Sequence, residues 1–158
     1  MNRRGEKEVV QSLLAAGHDP AVRRFDGKTE TAQASAAELG VETGRIIKSL
    51  VFSAQGQPVV ALVPGDRRAD TKAIAALLGA KKVRMADPEM VLEWTGFVVG
   101  AVPPLGHLRN VPILMDEGIP RDGAIYPAAG EINNAFETTF AKLREMTGAR
   151  VGAISMQS

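Results

Sequence analysis

The chain has 158 residues, 45% of them hydrophobic and 23% charged, with 19 basic side chains against 18 acidic and a formal net charge of +1. This is the size of one compact domain that folds without staples or a metal, and the composition excludes disordered, collagenous and low-complexity classes. Zero cysteines exclude disulfide frameworks, thiolate metal sites and a cysteine nucleophile. The near-neutral charge excludes nucleic-acid binding through charge alone, and no apolar run reaches the length of a membrane span, so a cytoplasmic protein with neither DNA nor a membrane as partner is expected.

In chain order, residues 6–16 carry the apolar pairs Val9, Val10 and Leu13, Leu14, followed by Gly17, which predicts a helix closed by a left-handed glycine. Residues 31–39 are alanine-rich and end at Gly40, and residues 70–78 begin at a capping Asp70 and end at Gly79; both read as short helices. Asp87 followed by Pro88 predicts a helix over 88–94 that stops near Gly96. The last helix is expected over 139–147, with Phe140, Leu143 and Met146 on one side and Gly148 as its stop. Between them lie apolar stretches too short for helices, at 46–54, 58–63, 111–115, 124–126, 134–138 and 150–154, which read as strands. The first two are joined through Gln55, Gly56 and Gln57, so they form an antiparallel hairpin. Helices and strands do not alternate strictly, which predicts an α+β fold: a mixed, largely antiparallel sheet or partly closed barrel flanked by helices.

Several chemistries lose their usual support, because the chain contains no GxGxxG, GxxxxGK[ST], HExxH or GxSxG. His18 lies in a Gly-His-Asp-Pro turn and reads as a solvated loop residue. Neither a cofactor nor a metal is expected.

The segment IIKSLVF is anomalous. In a strand, Ile46, Lys48, Leu50 and Phe52 point one way and Ile47, Ser49, Val51 and Ser53 the other. Both faces are largely apolar, as in a central strand, yet one carries an ammonium whose burial costs several kcal/mol unless it is partnered (order of magnitude). Lys48 therefore either runs out to water at a sheet margin or lines a cavity and meets an anion. Ser49 reads as a core hydroxyl with a partner.

Residues 95–105 form a second anomaly: they carry no charge, while Gly96, Gly100, Pro103 and Pro104 forbid regular structure. Gly100 allows a rigid backbone to come close to a ligand and offer it N–H groups; a packed internal turn explains the composition equally. His107 follows beside this loop. Asp116 and Glu117 close an apolar run as turn acids, and Asp116 is a candidate partner for Lys48. Asn133 and Asn134 follow an Ala-Ala-Gly turn, where they serve as turn formers or as amide partners for a polar ligand. The basic groups at Arg67, Arg68, Lys81, Lys82 and Arg84 are solvated charges or phosphate contacts.

Taken together, TAQASAAELG, IIKSLVF, ALVPGDRR, LLGAKKVRMAD, TGFVVGAVPPLG, ILMDEGI and YPAAGEINNAF resemble, in this order, the YbaK and prolyl-tRNA-synthetase editing-domain family over residues 6–155. The resemblance implies a freestanding editing enzyme that hydrolyses the ester of mischarged aminoacyl-tRNA, with the tRNA acceptor end as partner and a synthetase as a possible second one. It implies that Lys48 is needed for activity, with Ser49 beside it, and that Gly100 with Ala101 presents backbone amides to the aminoacyl carbonyl. Thr31, Val102, Pro103, His107, Asp116, Asn133 and Asn134 complete the expected substrate-contacting set. Members that edit cysteine often carry an aspartate near the positions of Asn133 and Asn134. If Asn133 or Asn134 takes its place, the branch that clears small amino acids such as alanine, serine or threonine is favoured. A non-catalytic module of the same fold, holding a tRNA terminus or a synthetase, is the alternative.

Overall fold

The computed structural model describes residues 3–26 and 31–158. Its helices are α1 (Glu6–Ala15), α2 (Ala32–Leu39), α3 (Thr71–Leu78), α4 (Pro88–Thr95) and α5 (Phe140–Thr147). Four begin at a side-chain cap. Thr31 accepts from Ala34 N–H, Asp70 from Lys72 and Ala73, Asp87 from Met90, and Thr139 from Lys142. These bonds satisfy amides that the first helical turn leaves without partners. The same four helices end at glycines in the left-handed region, Gly40, Gly79, Gly96 and Gly148.

The strands are β1 (Arg23–Arg24), β2 (Ile46–Ala54), β3 (Gln57–Pro64), β4 (Arg67–Ala69), β5 (Val83–Met85), β6 (Ile113–Asp116), β7 (Tyr126–Pro127), β8 (Asn134–Ala135), β9 (Arg150–Gly152) and β10 (Ser155–Gln157). The expected hairpin is present: β2 and β3 pair antiparallel from Ile47 opposite Pro64 to Ala54 opposite Gln57. Gln55 and Gly56 turn it with φ of 53° and 86°, both positive as a type I′ turn requires. The main sheet runs β5-β2-β3-β6-β9, with β7 also on β2. It is mixed and open: β5 joins antiparallel, whereas β6, β7 and β9 join parallel. The strand at 134–138 shrinks to β8, with Thr138 bridging Ile125 beyond it.

β3 is buried on both faces, and its alternation divides the interior. Val60 and Leu62 pack with Val9, Leu13, Trp94, Phe97, Phe136 and Leu143, uniting α1, α4 and α5 on one face. Val59, Ala61 and Val63 pack with Phe52, Ile74 and Ile154 beneath α3 on the other. A third cluster of Phe25, Ala36, Ile46, Tyr126 and Ala135 seats α2 beside β7. No described helix is long and apolar enough to cross a membrane.

Candidate active site

The functional geometry starts from an incomplete strand edge. On one side β2 pairs with β3 along its length. On the other, β7 covers only Ile46 and Ile47, and β5 covers only residues 52–54. Ala86 N–H donates to the Val51 carbonyl. Among the described residues, no strand lies beside Lys48, Ser49 and Leu50 on this edge. Because Val51 turns its carbonyl outward and Ile46 turns its own to Gly65 on the β3 side, antiparallel alternation aims the Ser49 N–H and C=O into the gap. A cavity of about 450 Å³ opens there, within the range of roughly 300–1,000 Å³ typical of small-molecule sites.

Lys48 and Ser49 reach this cavity from opposite faces of one strand, and the Gly100 turn completes its wall. The Lys48 side chain is half-buried and its Nζ donates to the Arg67 carbonyl. Burial lowers its pKa below the ordinary lysine value, with Asp66 opposing the shift. The ammonium is thus held at a cavity margin with one backbone acceptor, which leaves donor capacity for a ligand. Ser49 departs from expectation: its Oγ is buried and has no hydrogen-bond partner among the described residues. A core hydroxyl without a partner costs stability, and this one lines the cavity.

Residues 95–105 are held as a rigid unit. Thr95 Oγ1 donates to the Val91 carbonyl at 2.7 Å and accepts from Phe97 N–H at 3.0 Å. Leu108 and Arg109 return N–H bonds to Thr95 and Trp94. Phe97, Val102, Pro103 and Pro104 are buried, while Val99 and Gly100 surface at the cavity. The Val98 carbonyl accepts Ala101 N–H at 3.0 Å, and Gly100 between them has φ +90°, the signature of a type II turn. Ala101, expected to offer a second amide, is buried and its N–H bonds the Val98 carbonyl within the turn. Gly100 N–H has no partner among the described residues.

Of the remaining expected contacts, Thr31, Val102 and Asn134 line the cavity, whereas Pro103, His107, Asp116 and Asn133 do not. His107 supports the loop from behind: its Nε2 lies 2.7 Å from the Pro103 carbonyl, which fixes that nitrogen as the donor, and its ring meets Phe97 edge-on. Burial lowers its pKa, favouring the neutral ring. Asp116 does not meet Lys48 as an ion pair. It is 2% exposed, and its carboxylate accepts from Ile154 N–H, Gly118 N–H and Ser155 Oγ. Asn133 is exposed, and its carbonyl accepts Phe25 N–H.

Asn134 reaches the wall, but its amide is committed. Its Oδ1 accepts from Ala129 and Glu131, and its Nδ2 donates to Glu6 and the Ala129 carbonyl. His18, expected in solvent, is half-buried against Phe136, with Nε2 3.0 Å from Thr138 Oγ1.

Sequence reasoning missed Tyr126, whose hydroxyl donates to Glu137 Oε1 at 3.0 Å, and Met85 and Ile132 at the mouth. Tyr126 is the sole tyrosine of the chain, a signal that its two-residue strand concealed. Met85, Val99 and Ile132 are exposed large apolar side chains that all border this cavity. An apolar rim around a few polar groups is the usual form of a ligand site.

The chain is similar to several known proteins. Residues 26–146 match the family described as aminoacyl-tRNA editing domain. YwhH of Bacillus subtilis is 34% identical over 146 residues, covering 92% of both chains. EbsC of Enterococcus faecalis, named as a candidate Cys-tRNA(Pro)/Cys-tRNA(Cys) deacylase, is 31% identical over 79% of this chain and 77% of its own. Proline--tRNA ligase of Thermosipho melanesiensis is 40% identical over 114 residues, only 18% of that longer enzyme. A crystal structure named as a candidate trans-editing enzyme for prolyl tRNA synthetase superposes with a TM-score of 0.90 at 34% identity, covering 96% of each chain. The chain belongs to the aminoacyl-tRNA editing domain family and shares the fold of its YbaK-like editing deacylases.

Proposed function

We propose that this editing deacylase acts in trans on tRNA charged with a short wrong amino acid, of the alanine, serine, threonine or cysteine class, and that Lys48, Gly100 and Ser49 form its working site. The observation that carries the reading is the meeting of a half-desolvated ammonium, a donor-bearing glycine turn and a hydroxyl without a partner among the described residues around one cavity. The tRNA acceptor end is the partner this chemistry requires, and a prolyl-tRNA synthetase is the natural second one, given the relatives that carry this domain within that enzyme.

The reaction needs no protein nucleophile. Water adds to the ester carbonyl, aided by the neighbouring ribose hydroxyl or by the substrate's own side chain. The oxyanion that develops is met by the Gly100 N–H, in a dipole fixed before reaction begins. The Lys48 ammonium adds positive potential, strengthened by its partial removal from water. The bond from carbonyl carbon to ribose oxygen then breaks, the ribose oxygen takes a proton, and a free amino acid and an uncharged tRNA end leave.

The cavity walls supplied by Ile47, Val51, Val91 and Val102 are apolar and suit a short aliphatic or hydroxyl-bearing side chain. The buried Ser49 hydroxyl beside them has no partner among the described residues. Incubation with tRNAs charged with alanine, serine, threonine, cysteine or proline tests the reading. Fast ester loss is expected for at least one of the short residues, and no release from any of them contradicts an editing role.

Ser49→Ala makes a separate prediction. A satisfied core hydroxyl would lose stability on removal, whereas an orphaned one relieves a desolvation cost of about 1–3 kcal/mol. Thermal unfolding is expected at an equal or higher temperature, together with an altered ratio of seryl to alanyl ester hydrolysis. A clear loss of stability would show that the hydroxyl has a partner.

A further inference from the structure

We infer that Asp116, Ser155 and Arg67 form a positioning network for Lys48, so that the strand β10 belongs to the site although it contributes nothing to the cavity wall. The inference rests on Lys48 being the working cation. The chain of contacts is continuous. Lys48 Nζ donates to the Arg67 carbonyl. The Arg67 guanidinium donates from Nε to Ser155 Oγ at 2.6 Å and from a terminal nitrogen to the Ser155 carbonyl at 3.3 Å. Ser155 Oγ donates in turn to Asp116 Oδ2 at 2.9 Å. Asp116 is anchored in β6 of the main sheet, and its other oxygen accepts Ile154 N–H at 2.9 Å.

Each link has a physical reason. Asp116 is buried with no cation at its carboxylate among the described residues, and three donors, Ile154 N–H, Gly118 N–H and Ser155 Oγ, satisfy it. Those bonds fix residues 154 and 155 against the sheet and orient the serine hydroxyl as donor to the carboxylate. Its lone pairs then face Arg67, which can only donate. β4 and β10 pair antiparallel, with Ser155 opposite Ala69 and Gln157 opposite Arg67, forming a two-stranded ribbon paired separately from the main sheet. The Arg67 to Ser155 bonds join its three residue pairs and the Asp70 N–H bond to the Ile154 carbonyl in holding that ribbon. The Arg67 carbonyl sits on this ribbon and is the acceptor that orients the Lys48 ammonium. Ser155 lies beyond residues 26–146, the span matched by the editing-domain family, so the network extends the site past that unit.

The test measures kcat and KM for the best mischarged tRNA with the full chain and with Lys48→Ala, Ser155→Ala, Ser155→Thr and Arg67→Met, each checked for folding by thermal unfolding. Ser155→Ala and Arg67→Met are expected to lower kcat about 10- to 100-fold, the scale on which slight misplacement of a reacting group acts, with KM within about twofold of the parent. Ser155→Thr keeps the hydroxyl and is expected to retain kcat. If Lys48→Ala abolishes turnover while Ser155→Ala and Arg67→Met leave kcat intact, the network is overturned and the lysine reading survives. If Lys48→Ala itself leaves turnover intact, the reading beneath the network fails. A rise in KM alone for Arg67→Met also overturns the network, because it would place Arg67 on the tRNA. Should Ser155→Ala fail to fold, Arg67→Met and Ser155→Thr decide the matter.

Discussion

Replacing Lys48 with alanine or methionine is expected to reduce deacylation at least about 100-fold, the usual loss when a transition-state charge partner is removed, with the fold retained. The two substitutions separate the parts of the side chain. Methionine keeps an unbranched apolar stem and removes only the charge, so equal losses from both assign the effect to the ammonium. Stability is expected to hold because burial lowers the pKa of Lys48. A cation whose pKa falls on folding opposes the folded state wherever it is protonated, and its removal relieves that cost. Lys48→Arg is expected to be a poor substitute, since a planar five-donor fork does not replace a compact ammonium held by one carbonyl. Deacylation rates under single-turnover conditions, beside melting curves, check all three.

The second large effect is expected at Gly100. Its φ of +90° lies where a β-branched residue is a genuine outlier. A Cβ there would meet nothing nearer than Ile132 Cγ1 at 3.9 Å, so space is not the obstacle. Gly100→Val must instead reorganise the turn closed by Ala101 N–H and the Val98 carbonyl, and the Gly100 amide moves with it. Loss of one preorganised donor costs about 10²–10³ in kcat, and a comparable fall is expected here. Gly148→Val supplies the control. That glycine caps α5 at φ +64° with nothing within 4 Å of an added Cβ and does not line the cavity. Both variants are expected to lose about 1–2 kcal/mol from left-handed strain, but only Gly100→Val loses turnover. Equal loss of activity in both would reduce the Gly100 effect to general destabilisation.

The parts of this fold that are legible in the sequence are those whose signals are local. Thr31, Asp70, Asp87 and Thr139 each cap a helix with a side-chain oxygen, and hydrogen bonds to amides two or three residues away need no distant partner. β2 and β3 are legible because their apolar length and the intervening Gln55-Gly56 turn select one pairing. β1, β4, β5 and β10 are two or three residues long and carry polar, exposed side chains such as Arg23, Arg24, Arg68, Arg84 and Gln157. They are strands only because something distant pairs with them, and that information is tertiary.

The site divides in the same way. Lys48 stands out because an ammonium in an apolar strand demands an explanation, and Gly100 because an uncharged Gly- and Pro-rich segment cannot lie on a surface without one. Both faces of β2 are largely apolar, and that pattern conceals the feature that matters. The cavity owes its place to the gap between β7 and β5, and neither of those strands is visible in the pattern of β2. Asp116 shows the complementary difficulty. A strand-end acid near a loop can face either way, and the three donors that turn it inward come from Gly118, Ile154 and Ser155. Asn134 similarly spends its whole amide on the loop it closes and on Glu6 of α1, so an asparagine in this region says little about catalysis.

The account stands on the aminoacyl end of the substrate occupying the gap between Lys48 and the Gly100 turn. Titration of ¹⁵N-labelled protein with a non-hydrolysable aminoacyl-adenosine, its ester replaced by an amide and its side chain short, tests this directly. Saturable shifts of the Lys48 side-chain nitrogen and of the Gly100 amide are predicted, the latter reduced by Lys48→Met. Saturable shifts confined to the separate hollow lined by His18, Thr138 and Lys142, with the Gly100 amide unmoved, would contradict it.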